Sequence, residues 1–562
     1  MTGTRRKTTV HNPKKKGKKM PYPKAGQKIF FRINNWMKYS KTHPTLVAKY
    51  GAKWANVEIT KKVYTNSMGM GPYFNFKDVE DSFEGGVHLD ETTWSFASAK
   101  PLPTSITDSI HNYLVEDDPE DVYTVHVDRS KWHLPEVQEA MRKELDNFTK
   151  FEVYDLVKDE GQHFITSGWV IVEKEKEGKW ITKARLVIHG NQELNAVCSD
   201  SPTVKKQNLR LQCAIAVQNN WTMCSADVQA AFLQAVDLDR EIYVKPVAEA
   251  NNEGLLWKLR KPMYGLFDSG RQWYITIVTF LKDKGCLVLP TDLACLYWHK
   301  DGILHGIITI HVDDIPFCGS PEFTEQVIKP MLDKFKFGLV QKGEFKCLGW
   351  SLKQYRDYLT IDQFDYVEDK IKHPDINVAG RPNDEMLDAS EITIMRGSCG
   401  QFRWLADHSR ADLGYDELEL SMNVAKATIK DVKLVRKMVN CVKSTPIKLK
   451  FNKIDGDEWY ISVFSDASKN TLPDGESSAM GYIIFLTSGH VAGEVKNAVP
   501  VYWRSAKIPR MVGSSFEAEA IALEEAVNVG YTIMKDLSAI TNIPEHMIKV
   551  EGRRGGVHAL GS

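Results

Sequence analysis

The chain has 562 residues, 73 Lys/Arg against 73 Asp/Glu, and a formal net charge of zero, with 43% hydrophobic and 26% charged residues. That composition fits a globular protein of about three or four domains and excludes a collagenous or charge-solvated chain. Nine cysteines without a CxxC pair argue against a disulfide-stapled or zinc-ribbon protein, and no apolar run approaches the ~18–20 residues that span a bilayer.

Residues 1–28 carry ten Lys/Arg and no acid. Arg5, Arg6 and Lys7, then Lys14, Lys15, Lys16, Lys18 and Lys19, form two basic clusters. A disordered arm is expected, either a nuclear-import signal or nucleic-acid tether, or a solvated tail. It lacks the apolar core of a secretory signal. Residues 29–125 show no assignable periodicity. Pro101, Pro103 and the acidic stretch Glu116–Asp121 read as a linker.

Trp132–Lys150 has helical spacing, with Leu134, Val137, Met141, Leu145 and Phe148 on one face. Gly168–Lys174 and Trp180–Ile188 read as a hairpin closed by a charged turn. Gln207–Val217 reads as a helix and Trp221–Ala226 as a buried strand that ends in Asp227. Arg271–Lys284 is a helix stopped by Gly285. Ile303–His311 and Ile315–Cys318 are apolar strands around Val312-Asp313-Asp314, and residues 395–445 are mainly helical. After residue 450 come three strands, Trp459–Phe464, Met480–Leu486 and Val501–Arg504, then a helix from Ser515 to about Asp536. Strands followed by a helix indicate a separate α/β domain.

Asp227 at a strand end, and Asp313 with Asp314 at a hairpin tip, place carboxylates beside apolar strands. Mutual repulsion and desolvation oppose this unless divalent cations offset them. Two Mg²⁺ (or Mn²⁺) ions on such carboxylates support phosphoryl transfer. The residues alone leave the alternatives open: Asp-Asp is also a common turn composition, and Asp227 could be a simple strand-end residue.

The neighbouring motifs resemble the reverse transcriptase of copia-type LTR retrotransposon Pol polyproteins. Lys183-Ala184-Arg185-Leu186-Val187 with Gly190, Ser201-Pro202-Thr203-Val204, Asp227-Val228-Gln229-Ala230-Ala231-Phe232-Leu233, Glu241-Ile242-Tyr243-Val244, Tyr264-Gly265-Leu266 with Arg271-Gln272-Trp273-Tyr274, and His311-Val312-Asp313-Asp314 stand in the family's order. The resemblance runs from about Trp132 to the C-terminus. It implies a right-hand polymerase fold of fingers, palm and thumb, α/β and α+β in class. Residues 130–375 would form fingers, palm and the start of the thumb, and residues 376–448 the helical thumb or connection. It also implies RNA-directed DNA polymerase activity on an RNA template, a DNA primer or RNA–DNA hybrid, and dNTP. A virus-like particle in the cytoplasm, or the nucleus, would be the place of action. Asp227 and Asp313 match the metal-binding carboxylates and Asp314 their neighbour. Phe232 matches the aromatic under the incoming sugar. Lys183 and Arg185 are candidates for the triphosphate, Tyr264 and Gly265 for the segment near the templating base, and Gln363 and Tyr366 for the start of the thumb.

Two departures stand out. His311 replaces the family's Tyr. Phe267-Asp268-Ser269-Gly270 replaces Lys-Gln-Ala-Pro, which removes a cation and adds an anion that is expected to weaken nucleotide binding.

Residues 450–562 resemble the family's RNase H domain through Gly481-Tyr482-Ile483-Ile484, Val501-Tyr502-Trp503-Arg504-Ser505 and Ser514-Ser515-Phe516-Glu517-Ala518-Glu519. Asp466 and Glu517 match the first two of four metal-binding acids. Ser514-x-x-Glu517 is equally a capping box. The third acid would fall at Arg553, after a strand at Met547–Val550, and the chain ends at Ser562 before a fourth. An RNase H-like fold, truncated and with impaired or absent nuclease activity, is the expectation. No aspartic-protease DTG/DSG motif in a suitable context and no His/Cys zinc module is seen. A catalytically decayed, nucleic-acid-binding relic of a retrotransposon is the alternative to an active polymerase.

Overall fold

The computed structural model describes residues 28–33, 55–63, 73–78, 84–88, 92–96, 124–176, 179–194, 197–454, 459–488 and 498–554. The basic clusters at Arg5–Lys7 and Lys14–Lys19, the linker at Pro101–Asp121, the turn residues Glu177 and Gly178, and Gly555–Ser562 lie outside them. The chain divides into two units, residues 1–116 with 189–198, and residues 117–188 with 199–562.

The first unit contains β1 (Lys28–Ile33), β2 (Ala55–Val63), β3 (Tyr73–Asp78), β4 (Glu84–His88) and β5 (Thr92–Phe96). They form one antiparallel sheet in the order β4-β3-β2-β1-β5. This corrects the reading of residues 29–125 as without periodicity. The strands are short, and the register between β2 and β3 shifts between Ile59 and Lys61, an irregularity that interrupts a two-residue period.

The second unit begins with β6 (Thr124–His126), α1 (Pro135–Lys150), β7 (Tyr154–Lys158), β8 (Ile165–Lys176) and β9 (Lys179–Ile188). Pro135 starts α1, where its fixed φ suits a first helical turn. The helix buries Val137, Met141 and Phe148. The expected hairpin is observed as β8 paired with β9, longer at both ends than its apolar core. With β11 (Tyr243–Lys245) and β12 (Leu255–Leu259), these strands form a sheet ordered β6-β8-β11-β12-β7, β9 pairing with β8.

The sheet that carries the aspartates is built from β10 (Cys224–Val228), β13 (Leu287–Leu289), β14 (Asp292–Lys300), β15 (Ile303–Thr309), β16 (Asp314–Gly319) and β17 (Phe337–Lys342). Its order is β13-β14-β15-β16-β10-β17. Two helices, α2 (Lys206–Gln218) and α3 (Ser269–Asp283), contribute buried residues to the same core. In α2 every residue from Asn208 to Val217 is buried, as expected of a helix enclosed on all sides.

A four-stranded sheet follows, β18 (Glu344–Cys347), β19 (Trp350–Gln354), β20 (Tyr358–Asp362) and β21 (Leu449–Asn452), in sequence order. Between β20 and β21 lie α4 (Phe364–Lys370), α5 (Ala389–His408), α6 (Gly414–Asn423) and α7 (Ile429–Ser444), with their own apolar cluster. The last sheet contains β22 (Trp459–Ser468), β23 (Ala479–Ser488), β24 (Ala498–Lys507) and β25 (Ile548–Arg554), ordered β24-β23-β22-β25. β25 runs parallel to β22, the other pairs antiparallel. The connection into β25 is α8 (Ser515–Thr541), which packs on β22. Long connections are what parallel neighbours require. The fold is therefore mixed α/β with several sheets and helices.

Candidate active site

β10 is buried at Ser225, Ala226 and Val228, but Asp227 between them is exposed. The expectation of a desolvated carboxylate is corrected here: the strand is buried and the carboxylate is not. The opposing strand β16 begins with Asp314, and the turn that leads into it supplies Asp313. Asp227 faces Asp314 in the register of β10 and β16, and the Val228 N–H donates to the Asp313 carbonyl at 2.9 Å. The carboxylate-bearing residues therefore meet at adjoining strand ends. Gly338 on β17 leaves room beside them: a Cβ there would lie 2.9 Å from Asp227 Oδ2.

The hairpin tip is tight. His311 and Asp314 exchange two backbone hydrogen bonds, at 2.8 and 2.9 Å. Val312 inside the turn has φ +55°, a conformation that costs a β-branched residue ~1–3 kcal/mol. The Trp273 indole N–H on α3 donates to the Val312 carbonyl at 2.7 Å. Trp273 is itself buried and packs edge-on to Phe335 at 5.3 Å. A rigid aromatic thus holds the strained turn. His311 enters through its backbone, and its partly exposed side chain contributes to the field around the buried His408.

Lys183 and Arg185 lie two residues apart on β9, so both point to one face of the strand. The Arg185 guanidinium stands 5.5 Å over the Tyr264 ring. Phe232 meets Tyr264 with ring centroids 5.3 Å apart. Burial pushes the Tyr264 phenol well above its ordinary pKa. The charges of Glu144, Asp313 and Asp227 push it further, and Arg185 opposes them. That field ties Tyr264, Arg185 and the two aspartates to one locus. Tyr264 and Gly265 are stitched to the end of β9 by the Ile188 N–H, which donates to the Tyr264 carbonyl at 2.8 Å. Gly265 has φ +101°, and a Cβ there would come within 2.0 Å of the Ile188 carbonyl oxygen. Only glycine fits this approach.

Asp268 does not confront this locus as a loose anion. It is 2% exposed and makes a two-pronged ion pair with Arg240, each contact 2.8 Å. Gln272 Nε2 adds a bond to Asp268 at 3.0 Å. Arg240 is 28 residues away in sequence, so no local pattern predicts the pairing. The added anion thus loses its part in the expected weakening of nucleotide binding, while the cation absent at Phe267 keeps its part.

Glu144 is a second residue that sequence reasoning missed. It is buried on α1, and its Oε1 accepts the Leu186 N–H at 3.3 Å. Burial raises its pKa, while the Leu186 and Asn147 hydrogen bonds and the charges of Arg185 and Lys183 restrain the rise. Gln363 precedes α4, buried, and accepts the Ser409 hydroxyl at 2.7 Å. The Tyr366 hydroxyl donates to the Gln401 carbonyl at 3.5 Å.

In the C-terminal sheet, partly exposed Asp466 on β22 faces Gly481 on β23. Glu517 caps its own helix. Ser514 Oγ accepts the Glu517 N–H at 3.1 Å, and Glu517 Oε2 accepts the Gly513 N–H at 2.8 Å. Arg510 lies 3.6 Å from the same carboxylate. The tie from α8 to the strand beside Asp466 comes from Glu519, whose Oε1 accepts the Ala467 N–H at 3.3 Å. The expected strand at Met547–Val550 is observed as β25 and reaches Arg554, with Arg553 opposite Phe464 in the parallel register. Among the described residues, no group of three or more His, Cys, Asp or Glu side chains is arranged to hold a metal ion.

Residues 151–381 match the family model described as reverse transcriptase (RNA-dependent DNA polymerase). Among curated proteins, the retrovirus-related Pol polyprotein from transposon RE1 of Arabidopsis thaliana is 25% identical over 401 residues, covering 68% of this chain and 26% of that protein. Its counterpart from transposon RE2 is 26% identical over 405 residues, with 68% and 27% covered. The polyprotein from transposon TNT 1-94 of Nicotiana tabacum is 29% identical over 224 residues, with 38% and 16% covered. The chain spans about a quarter, or less, of the length of these relatives.

Proposed function

We propose that this chain, whose residues 151–381 are a reverse transcriptase domain related to those of retrotransposon Pol polyproteins, extends a DNA primer on an RNA template with dNTP. The observation that carries the reading is the meeting of Asp227 and Asp313 at adjoining strand ends, in the same field as Tyr264 and Arg185. In this reading the aspartate sheet is the palm, the β8–β9 hairpin with α1 belongs to the fingers, and α4–α7 form the thumb.

The donors suit the ions the chemistry calls for. Asp227 is exposed, its neighbour at 338 has no side chain, and hard carboxylate oxygens complete their set with phosphates and water. When bound, two Mg²⁺ or Mn²⁺ ions would activate the primer hydroxyl and offset charge on the leaving group. Asp227 and Asp313 would hold them. Lys183 and Arg185 would take the triphosphate by charge-assisted bonds. Phe232, held against Tyr264, would lie under the sugar and exclude a 2′-hydroxyl by contact. Template and primer would be held by backbone and shape, since any sequence must be copied.

The test is extension of an oligo-dT primer on poly-A RNA with dTTP and Mg²⁺ or Mn²⁺, comparing wild type with Asp313→Asn. Extension by wild type alone is expected, with primer–template binding retained in both. Binding that falls with salt, without extension by folded wild type, would favour the relic reading instead. Of the residues that favour that reading, Asp268 has its charge engaged by Arg240, whereas Arg553 stands in β25 as expected.

The C-terminal sheet we read as an RNase H-like unit with an impaired nuclease centre. Glu517 is committed to capping and to Arg510, and Arg553 stands in β25 where an acid would be needed. No cleavage of the RNA strand of a hybrid above background is expected. Metal-dependent cleavage abolished by Asp466→Asn would overturn this.

A further inference from the structure

The buried ion pair of Arg240 and Asp268 has no role in the polymerase reading, yet it sits where two segments of the site meet. Phe232 stands in a short helical turn, residues 231–234, soon after β10. The chain then runs to Arg240, tied on the way by the Val236 N–H to the Thr276 hydroxyl of α3 at 2.9 Å and by the Leu238 N–H to the Arg260 carbonyl at 2.6 Å. Tyr264 stands in the loop from β12 to α3, where the buried Ser269 hydroxyl donates to the Met263 carbonyl at 2.6 Å. Asp268 ends that loop at the N-cap of α3. The two-pronged pair, both contacts 2.8 Å, therefore joins the stretch that leaves Phe232 to the loop that carries Tyr264.

Stability alone does not account for such a pair. Desolvation of two buried charges offsets much of their attraction, and apolar residues of similar volume stabilise a fold as well. What the pair supplies is geometry, because a planar guanidinium and a carboxylate in two-pronged contact fix both distance and orientation. The Phe232 and Tyr264 rings, 5.3 Å apart, stand one on each of the joined segments. Rejection of a 2′-hydroxyl by contact requires the ring beneath the sugar to keep its place within ~0.5 Å. We propose that Arg240 and Asp268 are positioning residues for sugar selection: their pair holds the Phe232 ring against Tyr264, so that the ring does not yield to a ribonucleotide. This rests on the reading of the site as a dNTP site. Neither residue touches substrate in this account.

The nucleotides dUTP and UTP differ only in the 2′-hydroxyl, and both pair with a poly-A template. The ratio of kcat/KM for dUTP to that for UTP therefore isolates the sugar. Arg240→Met/Asp268→Leu replaces the pair by apolar groups and is expected to fold with near-native thermal stability. Its dUTP-to-UTP ratio should fall roughly tenfold or more, chiefly through faster use of UTP. A general structural defect would instead slow both substrates alike. Arg240→Lys keeps the charge and loses the fork, so it should lower the ratio in the same direction, and it carries the test if the double variant does not fold. In a Phe232→Ala background, where the ring is gone, the double substitution should leave the ratio where Phe232→Ala alone puts it.

Amide hydrogen exchange gives a readout without turnover. Residues 231–240 and 263–269 should exchange faster in the double variant than in wild type at equal global stability. A native dUTP-to-UTP ratio in the folded variants, or unchanged exchange in both segments, would overturn the proposal and leave the polymerase reading intact. A folded wild type that extends no primer with dUTP would overturn that reading, and sugar selection with it.

Discussion

Val312 shows how much of the site depends on single side chains. Its strained backbone sits between the aspartate pair and His311, and the one indole donor on its carbonyl comes from Trp273. Trp273→Phe would keep an aromatic against Phe335 and lose that 2.7 Å bond. The cost to stability should be ~1 kcal/mol. The rate of nucleotide incorporation should fall roughly tenfold, with primer–template affinity and dTTP KM unchanged, because a turn free to relax misplaces Asp313. An unchanged kcat in single-turnover incorporation would sink this role. The sequence already displayed Trp273 inside a motif, but not its partner, since a carbonyl in a distant turn leaves no trace in composition. Glu144 was hidden for a different reason. Met141, Leu145 and Phe148 define the apolar face of α1, and a glutamate beside them reads as its solvated border. Only the tertiary fold shows that the border is covered by β9.

At the scale of an element, α8 is the clearest case. Its 27 residues run beyond the end expected near Asp536. Ala518, Ala522, Ala526 and Gly530 form a stripe of small side chains at four-residue spacing, all buried. A Cβ on Gly530 would come within 2.9 Å of the Val463 side chain, so the stripe lets the helix lie close on β22. The expected end near Asp536 coincides with two adjacent charges, Lys535 and Asp536, that interrupt the apolar pattern. Asp536 is in fact 1% exposed and accepts the Thr291 hydroxyl. Burial lifts its pKa to about 6, the charge of Asp292 adds to the rise, and Thr291 and Lys205 oppose it. The neutral acid is therefore the form the fold favours. Its stabilising contribution is complete below the unfolded value of about 4 and is lost as pH rises through 6. Asp536→Asn should remove that decline and raise stability at pH 7 by on the order of 1–2 kcal/mol. Urea unfolding of both proteins from pH 4 to 8 measures it. A variant less stable than wild type at pH 7 would show that the ionised carboxylate is needed.

Across the second unit, segments far apart in sequence converge on Arg210. It is 2% exposed, stacks 3.8 Å from the Trp503 ring, and donates to the carbonyls of Val501, Asp407 and His408. The Trp350 ring lies 5.3 Å from the same guanidinium. One guanidinium thus joins α2, the end of α5 and β24. The chain after α7 also returns to add β21 to the sheet of β18–β20, so the helical region is an excursion from that sheet. The order of motifs made the reverse transcriptase region legible, because six short segments in sequence constrain a fold better than any periodicity. The five strands of the first unit were not legible, since short aromatic-rich strands interrupted by a register shift carry no clean alternation.

In the proposed function, Asp227 and Asp313 form the centre of a working polymerase. Single-turnover incorporation of dTTP on a poly-A/oligo-dT substrate, with wild type and Asp313→Asn at matched primer–template occupancy, tests it most directly. Incorporation by wild type and a loss of at least ~10³-fold in the variant are expected, the scale seen when a group that stabilises the transition state is removed. Equal rates in the two proteins, or none from a wild type that is folded and bound, would contradict it.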